Sequence, residues 1–206
     1  EMSDTARVLF PVDAATAVAS LHSVHADRGV IGTIVAPKQE MQQWFDASQA
    51  AKAMQAGFAS LQPLTADTRI QLLAVGAYQL RETCRAAEVL AAHGCPAQVV
   101  VILEPARLRH PRDRVEAGFV APDAIVAPAL PADLPRVLVS HSRPEPMMGA
   151  LRRIDSGPAR MTALGYINRG GTFDVEGMLF ANRCTWAHIV QQATRPLLQE
   201  TRHRLI

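Results

Sequence analysis

Residues 69–103, RIQLLAVGAYQLRETCRAAEVLAAHGCPAQVVVIL, contain the pattern that decides the fold class. An apolar run at 69–75 precedes an amphipathic stretch at 79–92, and a second apolar run follows at 98–103. Short apolar runs that alternate with helical stretches are typical of βαβ units, in which neighbouring strands run parallel. This segment therefore predicts two parallel strands connected by a helix.

The same alternation extends along the rest of the chain and predicts an α/β fold, with a mostly parallel sheet flanked by helices. Strands are predicted at residues 7–10, 30–36, 69–75, 98–103, 136–140 and 161–167. Helices are predicted at residues 14–27, 47–60, 79–92, 144–153 and 174–198. Regular structure is not expected at 61–68 or in the proline-dotted stretch 122–135.

The weakly patterned stretch 61–68 indicates a domain boundary. We expect residues 1–62 to be the end of one domain, a βαβ unit with a connecting helix, and residues 63–206 to form an α/β domain. The sequence starts at Glu1, without an initiator Met and shortly before the first predicted strand. We therefore expect it to be part of a longer protein.

The amino-acid composition argues against several classes of function. Hydrophobic residues make up 49% of the 206 residues, which is enough to fill a core, and the net charge is only +2. Arginines are scattered rather than gathered with aromatics, which argues against nucleic-acid binding, and no apolar run is long enough to cross a membrane. The three cysteines form no Cys-x-x-Cys pair, so we expect neither disulfides nor a zinc site, and a reducing cytoplasm as the location.

Lys38 and Gln39 are the first candidate site residues. They directly follow the apolar strand predicted at 30–36. Ligands of α/β sheets gather at the carboxyl ends of strands, and an ammonium group there can bind an anion. The alternative is that both are ordinary solvated surface residues.

A second candidate site combines a histidine with a glycine-rich loop. His141 follows the strand predicted at 136–140, and the loop GYINRGGT at 165–172 begins within the last residues of the strand predicted at 161–167. Such a loop can offer backbone N–H groups to an anion, although its spacing matches neither the phosphate-binding loop nor the dinucleotide fingerprint. A plain turn and a histidine that caps a core strand are the alternatives.

The sequence resembles the C-terminal quarter of bacterial phosphoketolases, relatives of transketolase, over almost its full length. The resemblance lies in the order and spacing of short motifs rather than in any one of them. These motifs are FPVD at 10–13, IVAPKQ at 34–39, LLAVG at 72–76, HS at 141–142, and Gly165, Tyr166, Gly170 and Thr172 before the FD at 173–174.

This resemblance implies a homodimeric enzyme that uses thiamine diphosphate and Mg²⁺ on ketose phosphates such as xylulose 5-phosphate. Residues 1–62 would then be the end of the pyrimidine-binding domain, and residues 63–206 the C-terminal domain of the transketolase fold. Lys38 matches the lysine that contacts the substrate phosphate in phosphoketolases, and Gln39 follows it. His141, Gly165, Tyr166, Gly170 and Thr172 would lie near the site, without assigned catalytic roles.

The family's Gly-Asp-Gly segment, which holds the metal and the diphosphate, is absent from this sequence. The resemblance therefore implies that the cofactor site lies in the missing N-terminal portion and that the 206 residues alone are inactive. No metal ligands are predicted within the chain.

Several positions depart from the phosphoketolase pattern. Pro37 stands in place of a glycine, Glu40 in place of a proline, and Leu164 in place of a histidine. The segment Leu103-Glu104-Pro105 lacks an expected aspartate, and the loop after Thr172 is shorter than in the family. These departures leave two alternatives open beside a phosphoketolase lyase. One is a pentulose-phosphate epimerase or isomerase on the same scaffold, and the other is a non-catalytic α/β dimerisation or regulatory module.

Overall fold

The computed structural model describes residues 2–167 and 171–204, and only the backbone of 196–204. The strands are β1 (Ala6–Leu9), β2 (Ile31–Ile34), β3 (Phe58–Gln62), β4 (Ile70–Val75), β5 (Ala97–Ile102), β6 (Arg136–Ser140) and β7 (Met161–Leu164). The helices are α1 (Ala14–Ala26), α2 (Ala47–Ala56), α3 (Ala77–Ala92), α4 (Arg114–Phe119), α5 (Asp123–Ala129), α6 (Pro144–Ala150), α7 (Val175–Ala181) and α8 (Trp186–Arg204).

The main sheet has five strands in the order β3-β5-β4-β6-β7. Strands β4 to β7 are parallel, and β3 runs antiparallel to β5 at the edge. Every residue of β4, β5 and β6 is buried, because helices cover both faces, as parallel sheets require. The predicted α/β fold with a mostly parallel sheet flanked by helices is therefore confirmed.

The first part of the chain forms a separate parallel pair, β1 and β2, joined by α1. Leu9 packs with α2 residues in one hydrophobic core, while Phe10 packs with Val75 and Met147 in the other. The backbone N–H of Phe10 also donates to the carbonyl of Leu103, 2.7 Å away. The β1–β2 pair is thereby attached to the carboxyl-end side of the main sheet.

One carboxylate, that of Asp13, organises the segment that leads from β2 to α2. One oxygen accepts the backbone N–H of Thr16 at 2.8 Å and caps α1. The other accepts the backbone N–H groups of Trp44 and Phe45, both at 2.8 Å. Asp13 is buried, so these bonds fix the end of the segment against the start of α1.

A buried ion pair joins the two sheets. Arg7 on β1 donates from Nε and Nη2 to the two oxygens of Glu104, at 2.7 and 2.9 Å, and Arg107 donates to the same carboxylate at 2.8 Å. Glu104 follows β5, and neither its side chain nor that of Arg7 is appreciably exposed. The hydrogen bond that Arg7 donates to Glu104 raises the pKa of Arg7.

Several predicted elements are wrong in extent or number, among them the helix predicted at 144–153, which ends at Ala150, and the strand predicted at 161–167, which ends at Leu164. The helix predicted at 47–60 ends at Ala56, because Gly57 adopts φ +83 and terminates it, and β3 follows. The stretch 122–135 contains the short helix α5, which tolerates Pro128 near its end. The helix predicted at 174–198 is two helices, α7 and α8, separated by a turn with Arg183 at φ +57. The domain division at residue 62 stays a prediction.

The cysteines are unpaired, and two of them are buried. Burial raises the pKa of Cys84 to about 11 and that of Cys184 to about 12, so neither forms a thiolate near neutral pH. Within the described residues, no helix combines the length and the apolar character that crossing a bilayer requires.

We expect only Cys95 to react with Ellman's reagent at pH 8 in the native protein, and all three cysteines to react after unfolding. Cys95 is partly exposed, although burial also raises its pKa, so its reaction is expected to be slow. A Cys95→Ser variant serves as the control and is expected to show no native reaction. Rapid native labelling of that variant would contradict the buried positions of the other two.

Candidate functional site

The strongest candidate site lies between the carboxyl ends of β4 and β6. These two strands are neighbours, but β4 leads through α3 to β5 on one side, whereas β6 leads through α6 to β7 on the other. The two connections therefore diverge and leave a crevice between them. Ligands of open α/β sheets bind at such topological switch points.

A cavity of about 240 Å³ occupies this crevice. Its walls come from the first turn of α3, the end of β6, the loop after β7, and α7 with the turn that follows it. The lining residues are Gln79, Ser140, His141, Tyr166, Met178, Leu179, Asn182 and Cys184. Four separate segments of the chain thus converge on one small space.

Gly76 makes this convergence possible. It follows β4 with φ +110 and ψ 153, a conformation that other residues rarely adopt. A Cβ at this position would lie 3.0 Å from Cβ of His141 and 2.5 Å from Oε1 of Gln79. The absence of a side chain at Gly76 therefore lets both the histidine and the glutamine approach the backbone of residue 76.

His141 is held by its backbone, while its ring faces the cavity. Its N–H donates to the carbonyl of Val75 at 2.8 Å, and its ring centroid lies 6.3 Å from that of Phe10. The residue is exposed, but the surrounding protein removes part of the water around the ring and lowers the pKa of His141. At neutral pH the ring is uncharged, with one donor and one acceptor nitrogen.

Gln79 is the unusual polar residue of the site. Its residue is only 4% exposed, yet Oε1 has no hydrogen-bond partner among the described residues. Buried polar atoms without partners are rare in folded proteins, because the lost hydration is not replaced. This oxygen is therefore a buried acceptor that lies beside the backbone of Gly76.

Two contacts fix the loop after β7. The N–H of Tyr166 donates to the carbonyl of Ser142 at 3.1 Å, and the N–H of Ile167 donates to Oδ1 of Asn182 at 2.6 Å. Gly165 allows this closure, because a Cβ there would overlap the carbonyl oxygen of Ser142. The aromatic ring of Tyr166 is consequently held at the rim of the cavity.

The structure brings together some of the predicted site residues. His141 and Tyr166 line the cavity, and Gly165 shapes the adjacent loop. Thr172 is exposed just before α7 and does not line it, and Gly170 lies outside the described residues.

Lys38 and Gln39 lie elsewhere, on the loop after β2. Both are exposed, and neither lines any of the three cavities described in the structure. The loop follows the carboxyl end of the β1–β2 pair, as the sequence predicts. Their proposed role in phosphate binding stays a prediction.

Sequence reasoning missed Gln79 and Asn182. The position of Gln79, three residues after a glycine that ends a buried strand, was the available signal, since such positions face the carboxyl edge of the sheet. Asn182 gave no signal, because its role depends on where the turn between α7 and α8 begins. Within the described residues, no three His, Cys, Asp or Glu side chains cluster closely enough to hold a metal ion.

No protein family and no curated protein matches the sequence. Solved structures of transketolases are similar in fold, namely a mutant of the Pichia stipitis enzyme in complex with xylulose 5-phosphate (TM-score 0.71, 16% identity) and the Leishmania mexicana enzyme (TM-score 0.72, 14% identity). The similarity covers 96% and 95% of this chain, respectively, but only 26% of either transketolase.

A split-gene transketolase, described as an inactive β4 tetramer, is similar over 94% of this chain and 58% of its own (TM-score 0.67, 16% identity). The chain thus spans about a quarter of the full transketolases and somewhat more than half of the split-gene chain. At these identities the likeness shows the fold, which is that of the transketolase C-terminal domain.

Proposed function

We propose that this chain is the C-terminal part of a thiamine-diphosphate-dependent enzyme of the transketolase superfamily, acting on ketose phosphates such as xylulose 5-phosphate. The observation that carries the proposal is the fold likeness to transketolases over nearly the whole chain. This chain covers only 26% of the transketolase chain, which supports the proposal that residues outside this chain hold the cofactor. We further propose a cytoplasmic homodimer.

The residues of this chain do not fit the metal and diphosphate of the cofactor. The sequence has no Gly-Asp-Gly segment, and the described residues include no cluster of metal-binding side chains. Thiamine diphosphate provides an electron sink for carbanion intermediates, and we assign that chemistry to residues outside this chain. The contribution of this chain is then substrate binding and assembly of the dimer.

Lys38 is the residue that we propose to bind the substrate phosphate, with Gln39 beside it. The ammonium group is exposed on a loop at the carboxyl end of a parallel strand, where a ligand can reach it. Lysine binds phosphate as a compact positive charge, and such charge-assisted contacts are stronger than neutral hydrogen bonds.

Replacing Lys38 with alanine in the full-length enzyme, with thiamine diphosphate and Mg²⁺ present, is expected to raise KM for xylulose 5-phosphate about 10- to 150-fold. This corresponds to the loss of roughly 1.5–3 kcal/mol for a hydrogen bond to a charged group. Steady-state kinetics measure the effect, and kcat is expected to change much less.

Lys52, the chain's other lysine, provides the matched control. It is exposed on α2, and Lys52→Ala is expected to leave KM unchanged. Equal KM values for Lys38→Ala and the unmodified enzyme would overturn the assignment of Lys38.

The reaction that we propose first is phosphoketolase cleavage, in which inorganic phosphate accepts an acetyl group. The departures at Pro37, Glu40 and Leu164 support a second candidate, epimerisation or isomerisation of the pentulose phosphate without carbon–carbon cleavage. Phosphorus NMR of the full-length enzyme with xylulose 5-phosphate separates them. Acetyl phosphate would identify the first reaction, a new pentulose phosphate the second, and an unchanged substrate would favour a non-catalytic module.

A further inference from the structure

The carboxylate of Asp13 makes more hydrogen bonds than the start of a helix requires. One oxygen accepts the backbone N–H and the hydroxyl of Thr16, at 2.8 and 2.6 Å, and this pair of bonds caps α1. Serine and asparagine cap helices about as well as aspartate does, and each uses a single oxygen for that task. The cap therefore does not explain why a second carboxylate oxygen is present.

The second oxygen, Oδ2, binds a distant part of the chain. It accepts the backbone N–H groups of Trp44 and Phe45, both at 2.8 Å. Asp13 and Phe45 are buried, so water does not compete for these bonds. Hydrogen bonds to a carboxylate are stronger than those between neutral groups. Oδ2 therefore fixes the backbone of residues 44 and 45 relative to the start of α1.

Residues 44 and 45 end the loop that carries Lys38. The loop begins at Val35, whose N–H donates to the carbonyl of Leu9 at 2.8 Å. Within the described part of the chain, residues 36–42 form no hydrogen bond of their own. Pro37 has a restricted φ and directly precedes the lysine. The position of Lys38 is therefore determined mainly by the two fixed ends of the loop.

A contact between an ammonium group and a phosphate depends strongly on this position. Charge-assisted hydrogen bonds have lengths of about 2.7–2.9 Å, so a shift of the lysine by about 1 Å breaks such a bond. A shift of that size in a residue that positions a substrate can lower activity about 100-fold. Releasing the end of the loop would therefore weaken the contact although Lys38 itself is unchanged.

We propose that Asp13 is a positioning residue for substrate binding, whose second oxygen holds the loop that places Lys38 at the substrate phosphate. This inference rests on the proposed function, since it requires that Lys38 binds the phosphate. Asp13 is buried and acidic, so we assign it no contact with the phosphate itself.

Asp13→Asn separates the two roles of this side chain in the full-length enzyme, with thiamine diphosphate and Mg²⁺ present. Asparagine keeps one oxygen for the cap, but its amide group is a donor and cannot accept the N–H groups of Trp44 and Phe45. We expect KM for xylulose 5-phosphate to rise about tenfold, with a much smaller change in kcat. Asp13→Ser keeps a cap and is too short to reach residues 44 and 45, so it is expected to have the same effect.

Combining Asp13→Asn with Lys38→Ala shows whether Asp13 acts through the lysine. If it does, Asp13→Asn causes no further rise in KM once Lys38 is alanine. Effects on KM that multiply in the double variant would overturn the inference. A normal KM in Asp13→Asn and in Asp13→Ser, beside a raised KM in Lys38→Ala, would also overturn it alone. An unchanged KM in Lys38→Ala would instead overturn the proposed function.

Thr16→Val is the matched control, because Thr16 belongs to the same helix cap but does not bond to the loop. Its hydroxyl accepts the N–H groups of Val12 and Asp13, at 3.0 and 3.1 Å, and the residue is buried. Losing these bonds is expected to lower the midpoint of thermal unfolding and to leave KM unchanged. A raised KM in Thr16→Val would show that KM follows the stability of the cap, and the positioning role would be refuted.

Hydrogen exchange, followed by mass spectrometry on a peptide that spans residues 40–46, measures the hold on the loop without any reaction. The amides of Trp44 and Phe45 are expected to exchange at least about tenfold faster in Asp13→Asn than in the unmodified enzyme, because they lose their acceptor. In Thr16→Val their exchange is expected to stay slow. Equally slow exchange in Asp13→Asn would show that Asp13 does not hold the loop, and would overturn the inference.

Discussion

Replacing Glu104 with glutamine is expected to lower the free energy of unfolding by about 3–5 kcal/mol, the usual cost of breaking a buried ion pair from one side. The carboxylate is completely buried and accepts three hydrogen bonds, two from Arg7 and one from Arg107. Glutamine keeps the shape of the side chain but removes the negative charge. The guanidinium of Arg7 would then remain buried without its principal counter-charge.

Urea unfolding, followed by circular dichroism, measures this change. Asp27→Asn is the matched control, because Asp27 contacts the same guanidinium at 2.8 Å but is 51% exposed. An exposed ion pair contributes about 0–1 kcal/mol, so this variant is expected to unfold at nearly the original urea concentration. If both variants lost a similar amount of unfolding free energy, burial would not be the reason why the Glu104 contact stabilises the protein.

The second large loss of stability is expected when Arg136, the first residue of β6, is replaced. Its buried side chain donates to Oε1 of Gln71 at 2.7 Å and to the carbonyls of Leu130 at 2.6 Å and Pro131 at 2.7 Å, as well as to that of Ile154. Burial lowers the pKa of Arg136, because removing water from the guanidinium disfavours its charged form.

Arg136→Met is expected to destabilise the protein by about 3 kcal/mol. Each buried acceptor that loses its donor costs roughly 1–3 kcal/mol. Part of this cost is offset, because methionine does not bury a charge. The control is Arg160→Met, because the side chain of Arg160 is exposed and, among the described residues, bonds only to the carbonyl of Asp133, at 3.5 Å. If Arg136→Met proved as stable as that control, the polar network around Arg136 would not be a stabilising element.

The strands of the fold were predictable wherever the apolar pattern was uninterrupted. Strands β4, β5 and β6 are buried on both faces and therefore read as continuous apolar runs. Strand β3 was missed because its residues continue the helical pattern of α2, and only the positive φ of Gly57 separates the two. A glycine's conformation depends on its tertiary surroundings, and sequence periodicity does not report it.

The candidate site was predictable in part for a related reason. His141 and Tyr166 stand directly after strand-like segments, and the carboxyl ends of parallel strands meet at one edge of the sheet. Gln79 lies inside a predicted helix, where burial depends on how distant segments such as α8 pack against α3. That packing follows from the turn at Arg183, which no local pattern indicated.

The two oxygens of Asp13 have a consequence for the loop that carries Lys38. The loop is tethered at its start, where the N–H of Val35 donates to the carbonyl of Leu9 at 2.8 Å, and at its end, where Asp13 holds Trp44 and Phe45. Because both ends of this segment are fixed, fewer backbone conformations are accessible to it. Ligand binding therefore costs less conformational entropy. If Lys38 binds an anion as we propose, binding has to immobilise the lysine side chain within a loop whose two ends are already fixed.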